Sequence, residues 1–270
     1  MNITFIGGGN MATALVGGLA AKGFDTKGVK VVEIQPEARE RLKNAFGVAC
    51  FEHASEAAPY GDIVVLAVKP QQLREAARAV APNLGAELVL SIAAGIRLAD
   101  LGRWLGGYPQ LARCMPNTPA LIGMGVTGLY ARPEVDAGQR AHAQRVLEAV
   151  SEVIWVAEES LLDPVTAVSG SGPAYVFFFI EALERAARGL GLDDGAARRL
   201  AIGTFRGAAE LAARSPDSPA VLRERVTSKG GTTERALATM RTDRLEEAIG
   251  RAVYAANDRA MELGSELGRD

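Results

Sequence analysis

The side chains that most often build reactive centres are scarce here: 270 residues contain 2 cysteines and 2 histidines. Cys50 and Cys114 are far apart and form no CxxC pair, and with only His53 and His142 to add, a structural zinc site is not expected. Buried filler or surface is the ordinary place for all four. Charge of one sign is lacking too, since Lys+Arg 30 against Asp+Glu 32 leaves a net −2, so no basic surplus points to nucleic acid or an anionic membrane. No apolar run approaches a membrane span; the longest, Ala174 to Ile180, runs into Glu181 and Glu184. Residues 1 to 20 lack the basic n-region of a signal peptide, so the expectation is a cytoplasmic protein. Repeats and low-complexity tracts are also missing.

What is present begins at once. Ile3 to Ile6 is a short, apolar, β-branched run that reads as a buried strand; Gly7-Gly8-Gly9 breaks it, and Asn10 to Lys22 has helical composition. The spacing is G-x-G-x-x-A, a dinucleotide-binding fingerprint with Ala12 at its third small position. Gly7 permits the tight turn, Gly9 admits a pyrophosphate close to the backbone, and Ala12 lets the helix pack on the sheet. Helix amides near Asn10 and Met11 would face the phosphates.

Further strands are expected at Val29 to Ile34, Asp62 to Val68, Glu87 to Ile92, Gly125 to Tyr130 and Val153 to Val156, with helices at Pro36 to Asn44, Leu98 to Leu105 and Ala137 to Val150; Gln110 to Cys114 leads into a loop. Two prolines make Met115 to Pro119 a loop. This alternation implies a doubly wound, mainly parallel sheet, whose ligand crevice lies at the carboxyl ends of its strands. There stand the glycine turn, Lys69-Pro70 and Ala93-Ala94-Gly95. Glu33, 26 positions after Gly7, is near the spacing of the acidic residue that binds an NAD ribose; a solvated strand-end carboxylate is the plain alternative. Lys69, fixed by Pro70, is expected to contact the cofactor rather than be a plain surface lysine.

From Glu158 on, period-two alternation ends and Ala, Leu, Arg and Glu recur at helical spacing. The expected division is residues 1–157 as the dinucleotide-binding domain and 158–270 as an all-helical domain. Val176, Phe177, Ile180, Leu183 and Ala187 form too apolar a face for one exposed helix, so other helices, or a partner subunit's, should cover it. Two stretches remain beyond packing. In Ser169-Gly170-Ser171-Gly172-Pro173 the small residues suggest close approach to another helix or to a ligand. In Val226 to Glu234, four hydroxyl residues around Gly230-Gly231 precede a helix; this is either a carboxylate-holding loop or an N-capped turn.

Together, FIGGGNMA (5 to 12), LAVKPQ (66 to 71), SIAAGI (91 to 96), RCMPNTP (113 to 119), SGSGPAY (169 to 175) and VTSKGGTT (226 to 233) closely resemble the Δ1-pyrroline-5-carboxylate reductase family over nearly the whole chain. The resemblance implies an N-terminal Rossmann domain, a C-terminal all-α dimerisation domain interleaved with that of a second subunit, and NAD(P)H-dependent reduction of a cyclic imine acid to L-proline. It implies that Gly7, Gly8, Gly9, Asn10, Met11, Glu33, Ala67, Val68, Lys69, Pro70, Ala93, Ala94, Gly95 and Asn117 bind the cofactor. Ser228, Gly230, Gly231, Thr232 and Thr233 would hold the substrate, with Thr233 and Ser228 catalytic and Thr233 at its ring nitrogen. No metal is implied. Many members carry a small polar residue followed by Arg or Ser at the end of the second strand, suited to the NADP 2′-phosphate; Glu33-Ile34-Gln35 departs from this, so better use of NADH is expected. A β-hydroxyacid dehydrogenase would place a catalytic Lys or Asp where Ser169 to Gly172 stand, and a cofactor-sensing regulator would have little reason to keep Ser228 to Thr233.

Overall fold

The computed structural model describes residues 1–269. The first strands are β1 (Ile3–Ile6), β2 (Val29–Val32), β3 (Ala49–Phe51) and β4 (Ile63–Leu66). They are followed by β5 (Leu88–Ser91), β6 (Leu111–Met115), β7 (Gly125–Ala131) and β8 (Ser151–Trp155). One sheet holds them in the order β3-β2-β1-β4-β5-β6-β7-β8. Every neighbouring pair is parallel except β6 and β7. The chain starts at β1, winds outward to β3, then returns to the other side of β1 at β4. That reversal opens a crevice at the carboxyl ends of β1 and β4.

Five helices cover the sheet: α1 (Asn10–Ala21), α2 (Pro36–Phe46), α3 (Pro70–Val80), α4 (Leu98–Trp104) and α5 (Ala137–Leu147). Strand side chains alternate between faces. Ile3, Phe5, Ile63 and Val65 therefore join Leu15 of α1, Leu42 of α2 and Val146 of α5, while Ile6, Val64 and Leu66 join Leu73 of α3 and Leu101 of α4. Burial on both faces explains why β1 and β4 are unbroken apolar runs. The expected elements are present with ends shifted by a few residues; α2 continues to Phe46, where Gly47 closes it in the left-handed conformation (φ 67°). Unforeseen are β3, three residues long and partly exposed, β6, which leads into the proline loop, and α3, whose Pro70 is its first residue. Met115 ends β6, and Thr118–Ile122 forms a 3-10 turn within the proline loop.

After Trp155 the described residues are helical or in turns. The elements are α6 (Leu162–Val165), a π-helical turn Thr166–Gly170, α7 (Gly172–Gly189), α8 (Asp194–Arg214), α9 (Pro219–Arg225), α10 (Thr232–Thr242) and α11 (Leu245–Leu267). Packing groups the chain into one compact unit of Met1–Ser171 with the residues from Ala256 on, and a second of Gly172–Ala255. In the first unit, Leu263 and Leu267 of α11 lie over Gly95, and Arg103 Nη2 donates to the Gly268 carbonyl (2.9 Å). In the second, Phe179 packs on Phe178 and Phe205 with ring centroids 6.4 Å apart, yet Phe177, Phe178, Leu190 and Leu211 are more than half exposed. None of the described helices is long and apolar enough to cross a membrane.

Candidate active site

The glycine turn joins β1 to α1 at the crevice. Gly7 has φ 103°, and a Cβ there would come within 2.7 Å of the Ala67 carbonyl oxygen at the end of β4. Glycine is therefore obligatory at position 7 for the fold itself. Gly9 differs: its φ is −69°, and a Cβ would meet nothing within 4 Å. No packing within the chain demands glycine at position 9, so the open space in front of it is room for something outside the chain. Gly9 is also the residue preceding α1, and no side chain caps the helix. Amides at Asn10 and Met11, with the positive end of the helix dipole, are left for an anion such as a pyrophosphate. The residues present thus fit a dinucleotide.

Glu33 stands just beyond β2. Its Oε2 accepts the Gly8 N–H (2.8 Å) and its Oε1 accepts the Gln35 N–H (2.9 Å). Arg39 Nη1 holds the Glu33 carbonyl (2.6 Å) and Nη2 pairs with Glu52 (3.0 Å). The carboxylate is pinned to the glycine turn, yet each oxygen keeps a second lone pair for a ribose hydroxyl. Both line a cavity of about 430 Å³ that also takes in Ala67, Val68, Lys69, Ile34, Gln35, Arg41, Glu52, His53 and Gln72. Glu52 and His53 follow β3, so the unforeseen strand brings them here; His53, for which buried filler or surface was expected, is exposed and borders this cavity. Their signal in the sequence is absent because three distant stretches must converge. Lys69 is exposed, immediately ahead of Pro70 at the start of α3.

Other expected cofactor residues lie outside this cavity. Ala93 is buried, and its N–H donates to Ser91 Oγ (3.3 Å). Gly95, with φ 79°, faces α11. The Asn117 side chain is engaged within the chain: Oδ1 accepts the Val126 N–H (3.0 Å) and Nδ2 donates to the Ser169 carbonyl (3.1 Å). That second bond ties the proline loop to the π-helical turn. A Cβ on Gly170 would come within 2.7 Å of Met115 Cε, so the close approach expected in the Ser-Gly stretch is to a side chain of β6 at this position. Upstream, buried Arg113 pairs with Glu159 (3.3 Å) and Asp163 (3.8 Å). Both cysteines are free, and burial pushes both thiols up, which leaves them protonated and weakly nucleophilic.

In the second unit, Ser228 to Gly231 form a turn leading into α10. Gly230 has φ 73°. Of the N–H groups that could face a carboxylate, two are bonded within the turn: the Gly230 N–H donates to Glu234 Oε2 (2.6 Å) and the Gly231 N–H to the Ser228 carbonyl (3.0 Å). A Cβ on Gly231 would lie 2.7 Å from Ser228 Oγ. Thr232 and Thr233 supply the first amides of α10, which no side chain caps. Thr233 is half-buried and Ser228 exposed.

A family model described as pyrroline-5-carboxylate reductase dimerisation matches residues 159–263, and one described as NADP oxidoreductase, coenzyme F420-dependent, matches residues 2–95. A pyrroline-5-carboxylate reductase of Pseudomonas aeruginosa is 44% identical, over 99% of this chain and 98% of that protein. The structure of a pyrroline-5-carboxylate reductase from Coxiella burnetii matches with a TM-score of 0.93 at 40% identity, covering 97% of this chain and 98% of that one. A pyrroline carboxylate reductase of Plasmodium falciparum, solved with NADP bound, matches with a TM-score of 0.86 at 26% identity, covering 98% of each chain.

Proposed function

Because the chain belongs to the pyrroline-5-carboxylate reductase family, we propose a residue-level reading of that reaction: NAD(P)H reduces the C=N bond of 1-pyrroline-5-carboxylate to give L-proline, the last step of proline biosynthesis. The observation that carries the cofactor half is the glycine turn, with open space before Gly9 and an uncapped helix behind it. Gly7 to Met11 receive the pyrophosphate, Glu33 the adenosine ribose, and Ala67 to Pro70 border the cavity along β4 and α3. Ala93 and Gly95 act by shaping the end of β5, and Asn117 by holding the proline loop to Ser169.

The substrate half rests on the loop from Ser228 to Thr233. The amides of Thr232 and Thr233 receive the substrate carboxylate at the positive end of α10, with the Ser228 and Thr232 hydroxyls beside them. Gly230 and Gly231 serve by the turn they make rather than by their own N–H groups. The nicotinamide supplies the hydride. A protonated imine carbon is already electrophilic, so the protein has to hold it in place and exclude water. As the new C–H bond forms, the C=N π pair moves onto nitrogen. The Thr233 hydroxyl, hydrogen-bonded to that nitrogen, keeps the ring oriented, and Ser228 supports the same position. This asks for no His or metal.

The two halves form one enzyme as a homodimer through the helical region, residues 158–270 in the functional division. Interleaving of the two subunits' helices, and assembly beyond a dimer, belong to the same reading; the exposed Phe177, Phe178 and Leu190 support it because such large apolar groups demand cover. Phe177→Asp is expected to move the protein from dimer to monomer mass in sedimentation and to remove turnover. Unchanged mass would sink the interface assignment. A cytoplasmic location belongs to the same reading.

Absorbance of the reduced nicotinamide, followed with pyrroline-5-carboxylate and each cofactor in turn, tests the reaction. Thr233→Ala is expected to lower kcat about 10–100-fold with a smaller change in KM, the pattern of a group acting mainly in the transition state. No oxidation with either cofactor, in protein that binds one, would favour a sensor or another imine.

A further inference from the structure

A helix N-terminus leaves its first amides unpaired, and the usual remedy is a hydroxyl or carboxylate on the preceding residue, with a Glu three positions on reaching back. Before α10 that preceding residue is Gly231, which has no side chain to offer. The Glu at the third helical position is present as Glu234. Its Oε2 reaches past Gly231 and accepts the N–H of Gly230 at 2.6 Å. Gly230 stands in the left-handed region at φ 73°, and the next amide, that of Gly231, turns inward to the Ser228 carbonyl at 3.0 Å. The loop is therefore closed on itself before any ligand arrives. The Gly230 and Gly231 amides are thereby used up, while the first amides of α10 and the nearby hydroxyls stay available.

A second consequence concerns charge. A substrate carboxylate approaching the same helix end meets a carboxylate already there, and two unpaired anions at one helix start would repel. Bonded to Gly230, the Glu234 charge is held on the loop side and its attraction to the helix dipole is already used.

We propose that Glu234 is the positioning residue of the substrate loop: by holding the Gly230 N–H it fixes the left-handed turn that aims the Thr232 and Thr233 amides at the substrate carboxylate, and it does not touch the substrate itself. The proposal rests on the reading that this loop is the substrate site. Anchoring the carboxylate contributes equally to the ground and transition states, so its loss appears in KM.

The test uses the full-length dimeric enzyme with Glu234→Ala, Glu234→Gln and Thr233→Ala side by side. Glu234→Ala is expected to raise KM for pyrroline-5-carboxylate about tenfold, the size of one hydrogen bond to a charged group, with kcat changed no more than about twofold. Glu234→Gln, whose amide oxygen accepts the same N–H, is expected to restore most of that affinity. NADH affinity by fluorescence titration should stay unchanged in both, and the midpoint of thermal unfolding should fall by no more than about 4 °C in Glu234→Ala, the loss of one helix-start hydrogen bond, which separates positioning from general damage. An unchanged KM in Glu234→Ala overturns the proposal. So does a fall in KM, since Glu234 would then be occupying the place the substrate carboxylate needs. If Thr233→Ala has no effect on turnover, the loop is not the substrate site, and that failure is distinguished by its own variant.

Discussion

Gly9→Ala is expected to unfold at the same temperature as the wild-type protein and to lose about 100-fold in affinity for NADH, while Gly7→Ala is expected to lose about 2–4 kcal/mol of stability. The two glycines stand in one turn, two residues apart, yet their constraints come from opposite sides. At Gly7 the obstacle is the protein: a Cβ would sit 2.7 Å from the Ala67 carbonyl, at a φ that side chains seldom adopt. At Gly9 the backbone is in an ordinary region and a methyl group would project into open space. Only a bound pyrophosphate, drawn to the first amides of α1, would feel it. Urea unfolding combined with fluorescence titration separates the two effects. Wild-type cofactor binding by Gly9→Ala would refute placement of the phosphates on this turn.

For the wild-type enzyme, NADH is expected to give a higher kcat/KM than NADPH, and Glu33→Gln to shift the ratio of the two toward NADPH by about 10–100-fold. Repulsion between a carboxylate and a 2′-phosphate is avoidable when the carboxylate can rotate away. Here the Gly8 and Gln35 amides each hold one of its oxygens, so turning away would break both bonds. At about 4 Å, two unit charges near a protein surface interact by about 4 kcal/mol, and Arg41 at the same cavity offsets part of this. Glutamine keeps the shape and one acceptor while removing the charge. Direct titration of both cofactors provides a readout independent of turnover. A wild-type preference for NADPH would refute the assignment of Glu33.

The sheet was legible because its central strands are buried on both faces: Ile3 to Ile6 and Ile63 to Leu66 leave no ambiguity between a strand and a surface segment. The glycine turn was legible because it imposes steric demands on adjacent residues. Ala49 to Phe51 carried no such mark, being too short for a period and held mainly by its pairing with β2. The cavity wall from Arg41 to His53 was illegible for the same reason, since its members meet only after β2, α2 and β3 have formed. In the loop from Ser228 to Thr233, proposed to hold the substrate, the hydroxyls and the glycine pair are evident in the sequence but the direction of each N–H is not. Which N–H groups face outward depends on where one side chain, Glu234, goes, and no local pattern records that.

The last turns of α11 lie over Gly95 and Arg103 in the unit that contains the very first strand. During synthesis this sets an order: the nucleotide-binding unit emerges early, but the surface beneath α11 stays bare until the chain has been made through about Gly268 and has returned. A chain truncated near Tyr254 is expected to leave that surface uncovered, and its first unit to unfold at a lower temperature than that of the full-length protein.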